Sequence, residues 1–518
     1  MKKTLLILLL VHLNSSASII YVNSSATGLN NGLSWNNAYI NLQEALSNAI
    51  FGDEIWVAAG TYKTTTTTTR TISFVSKNGV NLYGSFSGNE TSINQRNIAT
   101  NPTTLSGDIG VLGDNLDNTY TILKVENITS GLTIDGFRII SGNNDTGSGC
   151  PGIRLQNNTG IINIKNCFFF NNFGIAGSAI SVLSQGNFTV NVSDSDFNGN
   201  SGIDGTIFGS NASSNNLNIN NCRFRGAVTG GTAVLRFQSE NLNMSNCIIT
   251  NNTSTQSNII SITADSSAKI SNCLIVGNSY NESAIGFYSL TSANQIAENL
   301  TVAHNKKDFT GSTNTFYTAI YSVNGTAKIY NSIIYDNTNS SNNTQINNGN
   351  QAVGNIVSNS IVQNGFANGT NILNVNPNFI NPNNLISAPF DSTNFNYRLQ
   401  NTSQGINYGD NNFVTTTQDI DGNSRIQQTT VDTGAYENFS TLSLNENLFS
   451  NTNLMYNNNN DMLSLKNIEV GKIDIFDITG KLVGSREIRG QICLSDLKIG
   501  IYIIILRNKN EKIKICKK

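Results

Sequence analysis

Arg138, Phe168, Asp196 and Arg223 recur at steps of 30, 28 and 27 residues. Phe170 and Arg225 follow Phe168 and Arg223 by two places and so share their side of an extended chain. If these positions stack on one outer face, neighbours lie about 4.8 Å apart. Arg138 and Arg223 would then stand about 14 Å apart, with Phe168 and Asp196 between them. An aromatic ring flanked by guanidinium and carboxylate groups can hold a sugar chain by stacking and charged hydrogen bonds. The same residues could instead form a salt-bridged outer face with Phe168 under a loop, or supply charged groups for catalysis.

Two other segments are rich in oxygen ligands. Asp108, Asp114 and Asp117 form an acidic loop, and Asp419-Ile-Asp421-Gly-Asn423 forms a turn. Either could hold calcium through oxygen atoms, although no acidic residue closes the second segment as in an EF-hand. Ordinary Asx turns are the alternative. The seven cysteines show no CxxC or Cys/His spacing that suggests zinc.

A repeat must position these groups. Ile164-Lys-Asn-Cys167-Phe-Phe, Ile219-Asn-Asn-Cys222-Arg-Phe, Met244-Ser-Asn-Cys247-Ile-Ile and Ile270-Ser-Asn-Cys273-Leu-Ile share one pattern, and 137, 195, 300, 332 and 360 fit the same register. The anchors recur every 25 to 32 residues, the length of one solenoid coil. Positions three before and two after the anchor are apolar throughout, so they point inward together with the anchor. The cysteines are therefore expected as buried thiols. Asn or Asp precedes nearly every anchor, and Asn recurs five places after it, at 172, 200, 252, 278, 305 and 337. Both columns are expected at bends, where Asn tolerates a left-handed backbone and can form ladders. His304 lies in a bend column and is expected at the surface. One place after the anchor the later coils carry Ile248, Leu274, Ile333 and Ile361, which suggests loop cover.

Composition agrees with an exported β-rich chain. Charged residues are 12% of 518, and the formal net charge of -2 provides no global field for nucleic acid or an anionic membrane. Lys2 and Lys3, the apolar run Leu5 to Leu10 and the small residues 15–18 read as a signal peptide over 1–18. No later apolar run reaches a membrane span. Residues 41–49 carry the one good amphipathic helix pattern, with Leu42, Ala45, Leu46 and Ala49 on one face, suited to plugging an open solenoid end.

These repeats, with Gly52-Asp-Glu-Ile-Trp56-Val-Ala-Ala-Gly60-Thr-Tyr62 and Val80-Asn-Leu-Tyr-Gly84, resemble right-handed parallel β-helix proteins of the pectate-lyase-like fold. The segment from Asn376-Pro377-Asn-Phe379 to Gly434-Ala-Tyr436-Glu437 resembles the tail that closes many of those helices. The resemblance spans roughly residues 19–437 and implies an all-β solenoid with a short N-terminal capping helix.

Residues 438–460 read as an Asn-rich linker. Beyond it, Asp477-Ile-Thr-Gly480-Lys and Leu497-Lys-Ile-Gly500-Ile-Tyr502 sit in alternating strands over 461–518, a small β-sandwich by expectation. This segment resembles the C-terminal sorting domain of the type IX secretion system. That resemblance implies passage through the periplasm to the outer face of the outer membrane, with the secretion machinery as partner. Two functions fit the whole. One is a surface-displayed glycan-binding, adhesin-like or structural scaffold, with an extracellular polysaccharide as partner. The other is a polysaccharide lyase or glycoside hydrolase. The scarcity of charged residues favours the first.

Overall fold

The structure, a computed structural model, describes residues 17–438 and 454–517, apart from 148, 184–186, 206, 210–214, 289–293, 308–318, 324, 339–343, 348–353, 383–393, 458–459, 467–468 and 508–510. Residues 1–16 of the segment read as a signal peptide lie outside this set, as do residues 439–453 of the segment read as a linker. Two compact units emerge, Met1–Asn438 and Phe439–Lys518.

The first unit is a parallel β-solenoid of about 10 turns. Runs of β-branched and aromatic residues form its strands, and each pairs in parallel with the equivalent strand one coil on. Ile164 stands against Val192 and Val192 against Ile219, while Phe169 faces Phe197 and Phe197 faces Phe224. This register stacks like upon like inside. Phe169, Phe197 and Phe224 form a parallel pile with centroids 4.6 and 4.7 Å apart. Cys167, Cys222, Cys247 and Cys273 form a buried row of free thiols. Burial pushes the Cys167 thiol up to about 12, which keeps it protonated and inert.

The two asparagine columns do different work. Asn166, Asp194, Asn221, Asn246, Asn272, Asn299, Asn331 and Asn359 all adopt left-handed backbone and turn the corner, as expected. In the second column the left-handed residue stands one place earlier, at Asn171, Gly199, Asn251, Gly277, His304 and Asp336. Asn172, Asn200, Asn252, Asn278 and Asn305 instead point inward and are almost wholly buried. The Nδ2 groups of Asn252, Asn278 and Asn305 each donate at 2.9 Å to the Oδ1 of the next amide in the column. Asn278 also donates to the carbonyls of Ile249 and Val276 and accepts from the Asn252 amide at 3.0 Å. Asn278→Ala would leave those groups without partners inside the core. The expected cost is about 1–3 kcal/mol, read as a lowered urea midpoint; an unchanged midpoint would show that the ladder contributes no net stability.

Leu42–Asn48 forms the capping helix, with Leu42, Ala45 and Leu46 buried and Asn41 accepting from the Gln43 amide at 2.8 Å. Lys77 Nζ donates to the carbonyl of Ala49 at 2.9 Å, where the helix ends.

The tail over 376–437 does not simply close an end. It lies on an outer face of the solenoid, where Phe379, Tyr397, Leu399, Ala435 and Tyr436 pack against Leu274, Val276, Ala303, Ile333 and Ile361. This cover explains why the outward column turns apolar in the later coils. It also corrects the placement of His304. That residue does sit at a left-handed bend, but it is buried under the tail, with its Nδ1 3.1 Å from the Tyr397 hydroxyl. Burial lowers its pKa, partly offset by Asp336.

Arg425 fastens the tail. It is 1% exposed, and its guanidinium donates to Asn272 Oδ1 at 2.9 Å and to the carbonyls of Asp432 and Gly434 at 3.0 and 2.7 Å. Glu437 Oε1 lies 3.3 Å away.

The second unit is an antiparallel sheet of seven strands that bends at Arg489 to Gln491. Its order is Leu454–Asn457, Met462–Leu465, Gln491–Cys493, Leu482–Arg489, Val470–Asp477, Gly500–Leu506, Glu511–Lys517. The first and last strands make contact, so the sheet rolls around its own core of Leu463, Ile473, Ile475, Ile488, Leu494, Ile504 and Leu506. The linker reading over 438–460 ran too far. Leu454–Asn457 is an edge strand because Leu454 inserts into this core. At the Asp477-Ile-Thr-Gly480 turn, Asp477 Oδ1 accepts from the amides of Thr479 and Lys481, and Gly480 takes positive φ.

Candidate functional site

The outward row assembles through backbone pairing. Arg138 pairs with Phe168, Phe168 with Asp196, and Asp196 with Arg223, in three consecutive parallel ladders. Side chains alternate along each short strand, so Phe169, Phe197 and Phe224 go inward while their neighbours go out. The tail covers the later coils and leaves these four coils open.

The row has internal order. The Arg138 guanidinium sits 5.8 Å from the Phe168 ring centroid, and Phe168 stacks on Phe170 at 5.9 Å. Asp196 accepts two hydrogen bonds from Arg225, at 3.1 and 2.8 Å. Among the described residues neither Arg138 nor Arg223 forms an ion pair with a carboxylate.

Hollows flank both ends. Arg138 and Phe168, with Ser85, Ile98, Pro102 and Asn166, line one of about 220 Å³. Arg223 and Arg225, with Thr250, Phe395, Arg398, Asp421 and Tyr436, line another of about 410 Å³. The second is walled by the rim of the tail. There Arg398 lies over the Tyr436 ring at 4.7 Å and donates to Asp421 at 2.7 Å. Sequence reasoning missed Arg398 and Tyr436. The apolar outward column signalled a cover, but nothing in the repeat told which tail residues would end at its edge.

The oxygen-rich segments divide. Asp419 is buried and accepts from the amides of Asp421, Asn423 and Glu437, while Asp421 pairs with Arg398. Asn423 donates from its side chain toward Asp419. Asp419, Asp421 and Asn423 thus form an Asx turn that holds the tail, with both Asp419 oxygens and Asp421 Oδ2 engaged. In the other loop Asp114 Oδ1 accepts from the Leu116 amide, Asp117 Oδ2 from Val111 and Asp108 Oδ2 from Gly113. Among the described residues no three or more His, Cys, Asp or Glu side chains gather as a metal cluster. No helix among them is long and apolar enough to cross a membrane.

Several solved structures are similar over most of the chain. Pectate lyase Pel9A aligns over 82% of this chain and 97% of its own, at 15% identity and a TM-score of 0.42. XylC in complex with xylose aligns over 80% and 98%, at 10% and 0.36. The PL6 family alginate lyase AlyGC aligns over 78% and 60%, at 11% and 0.32. No curated protein sequence matches the chain. Residues 454–518 match the model of the secretion system C-terminal sorting domain, so the chain is a parallel β-solenoid that ends in a type IX sorting domain and is exported by that route, to the cell surface or beyond it.

Proposed function

We propose that the exported solenoid is a surface-displayed binding protein that holds an anionic polysaccharide along the open outer row. The observation that carries this reading is the pair of arginines, Arg138 and Arg223, without carboxylate partners at either end of one exposed ladder, with Phe168 between them. A uronate chain offers carboxylates to the guanidinium groups and sugar faces to the ring. Arg225 and Arg398 already have carboxylate partners, so the row keeps a net positive charge where the ligand would lie. Asp196 and Asp421 are each paired with an arginine, which favours binding over a hydrolytic pair of free carboxylates.

Phe168→Ala is expected to weaken retention on polygalacturonate or alginate in affinity electrophoresis by about threefold to tenfold, the worth of one aromatic contact, with the melting temperature kept. Retention equal to wild type would remove Phe168 from the site. The same incubations read out the enzymatic alternative, a polysaccharide lyase or glycoside hydrolase. Growth of unsaturated or reducing ends with time would replace binding by cleavage as the function.

A further inference from the structure

Four side-chain oxygens of residues joined by backbone and amide hydrogen bonds are buried without a hydrogen-bond donor: Asp108 Oδ1, Asp117 Oδ1, Asn118 Oδ1 and Asn143 Oδ1. Backbone bonds gather their residues. The Thr119 amide donates to the Gly107 carbonyl at 2.9 Å, which closes the loop over 108–118, and the Asn143 amide donates to the Thr119 carbonyl at 3.0 Å. Asn143 Nδ2 donates to the Asn115 carbonyl at 2.6 Å, and Asn118 Nδ2 to Asn115 Oδ1 at 3.3 Å. These bonds engage both amide nitrogens at Asn115 and leave both amide oxygens buried without a donor. Asn118 is 1% exposed and Asn143 7%.

Buried acceptors without donors are rare because each has lost its water and gained nothing. Here two belong to carboxylates and two to neutral amides. That mixture of hard oxygen donors is what calcium takes, and its tolerance of irregular geometry suits ligands drawn from a loop and a neighbouring coil. The other carboxylate oxygens are held by the Gly113 and Val111 amides, which orients each group with one oxygen spare. Arg70 adjoins this cluster, but its guanidinium binds the backbone carbonyls of Asn118 and Asn143 and pairs with Asp145 at 3.0 Å. Its charge is therefore matched, and the side-chain oxygens remain unused.

We propose that this cluster is a calcium site whose ligands include Asp108, Asp117, Asn118 and Asn143. Asp114 is not among them, since it is exposed and caps the Leu116 amide. The site would tie the loop over 108–118 to the coil that carries Asn143, independently of any glycan on the outer row.

Full-length protein stripped with EDTA and titrated with calcium chloride by calorimetry tests the assignment. Wild type should take up one calcium ion per chain and melt at a higher temperature with it. Asp117→Ala should bind at least tenfold more weakly, and Asp114→Ala should match wild type. Asp108→Asn, which keeps the side-chain shape and removes a charge, serves if Asp117→Ala fails to fold, and it too should bind more weakly. No uptake by wild type would overturn the proposal. So would uptake unchanged in Asp108→Asn and Asp117→Ala, or a crystal grown with calcium that shows ordered water alone among the four oxygens.

Discussion

Removal of residues 439–518 is expected to leave the solenoid folded while its delivery to the cell surface falls to near zero. The sorting unit has its own core, in which Ile473, Ile475, Ile488 and Ile504 are fully buried, and the solenoid core is complete without it. The truncated protein should therefore keep the dichroism of a β-solenoid, and the melting transition of the solenoid should be unchanged. In a host with type IX machinery, fractionation should find the truncated form in the periplasm. Residues 454–518 fused to a periplasmic reporter should carry that reporter out. Normal surface display of the truncated protein would show that export depends on some other part of the chain.

Loss of the Arg425 side chain should have the largest effect on stability. Arg425→Ala removes a guanidinium that satisfies Asn272 and two carbonyls while facing Glu437 in a dry site. Leaving the Asn272 oxygen and the two carbonyls without donors in a buried site costs about 1–3 kcal/mol for each. The tail should then become the first segment cut in limited proteolysis, and the melting temperature should fall. A tail as resistant as that of wild type would mean that the apolar contacts of Phe379, Tyr397 and Tyr436 suffice alone.

The same cluster predicts a pH response. Burial pushes the Glu437 carboxyl up to about 8, and the nearby Asp432 and Asp419 add to this against the opposing pull of Arg425. Three acids share one guanidinium there, so a proton stays on Glu437. A carboxyl with a raised folded pKa contributes stability that is complete below its unfolded value near 4.5 and is lost as the pH climbs to about 8. Asp432, raised chiefly by burial, acts in the same direction. Wild type should lose melting temperature relative to Glu437→Gln between pH 5 and pH 8.5, because the amide mimics the protonated acid. A difference that stays constant or reverses would contradict a shared proton.

The repeat made the solenoid legible because stacking imposes the same demand on every coil. Inward columns must be apolar, and the corner before each anchor needs a residue that accepts positive φ, so both demands are written into the sequence many times. The second asparagine column was harder to read. The left-handed residue there is variously Asn, Gly, His or Asp, and the buried amide beside it mimics the composition of a bend. The outer row could be assigned to one face from parity alone. Its flanking hollows could not, because Ile98 and Pro102 at one end and Phe395 to Arg398 at the other come from outside the repeat. His304 was misplaced for the same reason: its environment is set by Tyr397, 93 residues away.

The path of the tail decides how the molecule bears load. Asn438, where the first unit ends, is bonded to Asp432 and Leu399 within the tail. Tension applied at that end therefore reaches the tail first, and the coils only through the links that hold it down. Those links are scattered side-chain and single backbone bonds: Arg425 and Gln418 to Asn272, Asp410 and Gly434 to Asn331, Thr415 to Glu298, Tyr397 to His304, and the Ala435 amide to the Thr301 hydroxyl. The coils behind them are joined by continuous ladders in which many bonds share the strain. A steady pull should thus strip the tail before any coil unwinds, uncovering Leu274, Ile333 and Ile361 as a fresh apolar stripe. The tail is in this sense a mechanical fuse, set to yield at a lower force than the rod that it covers.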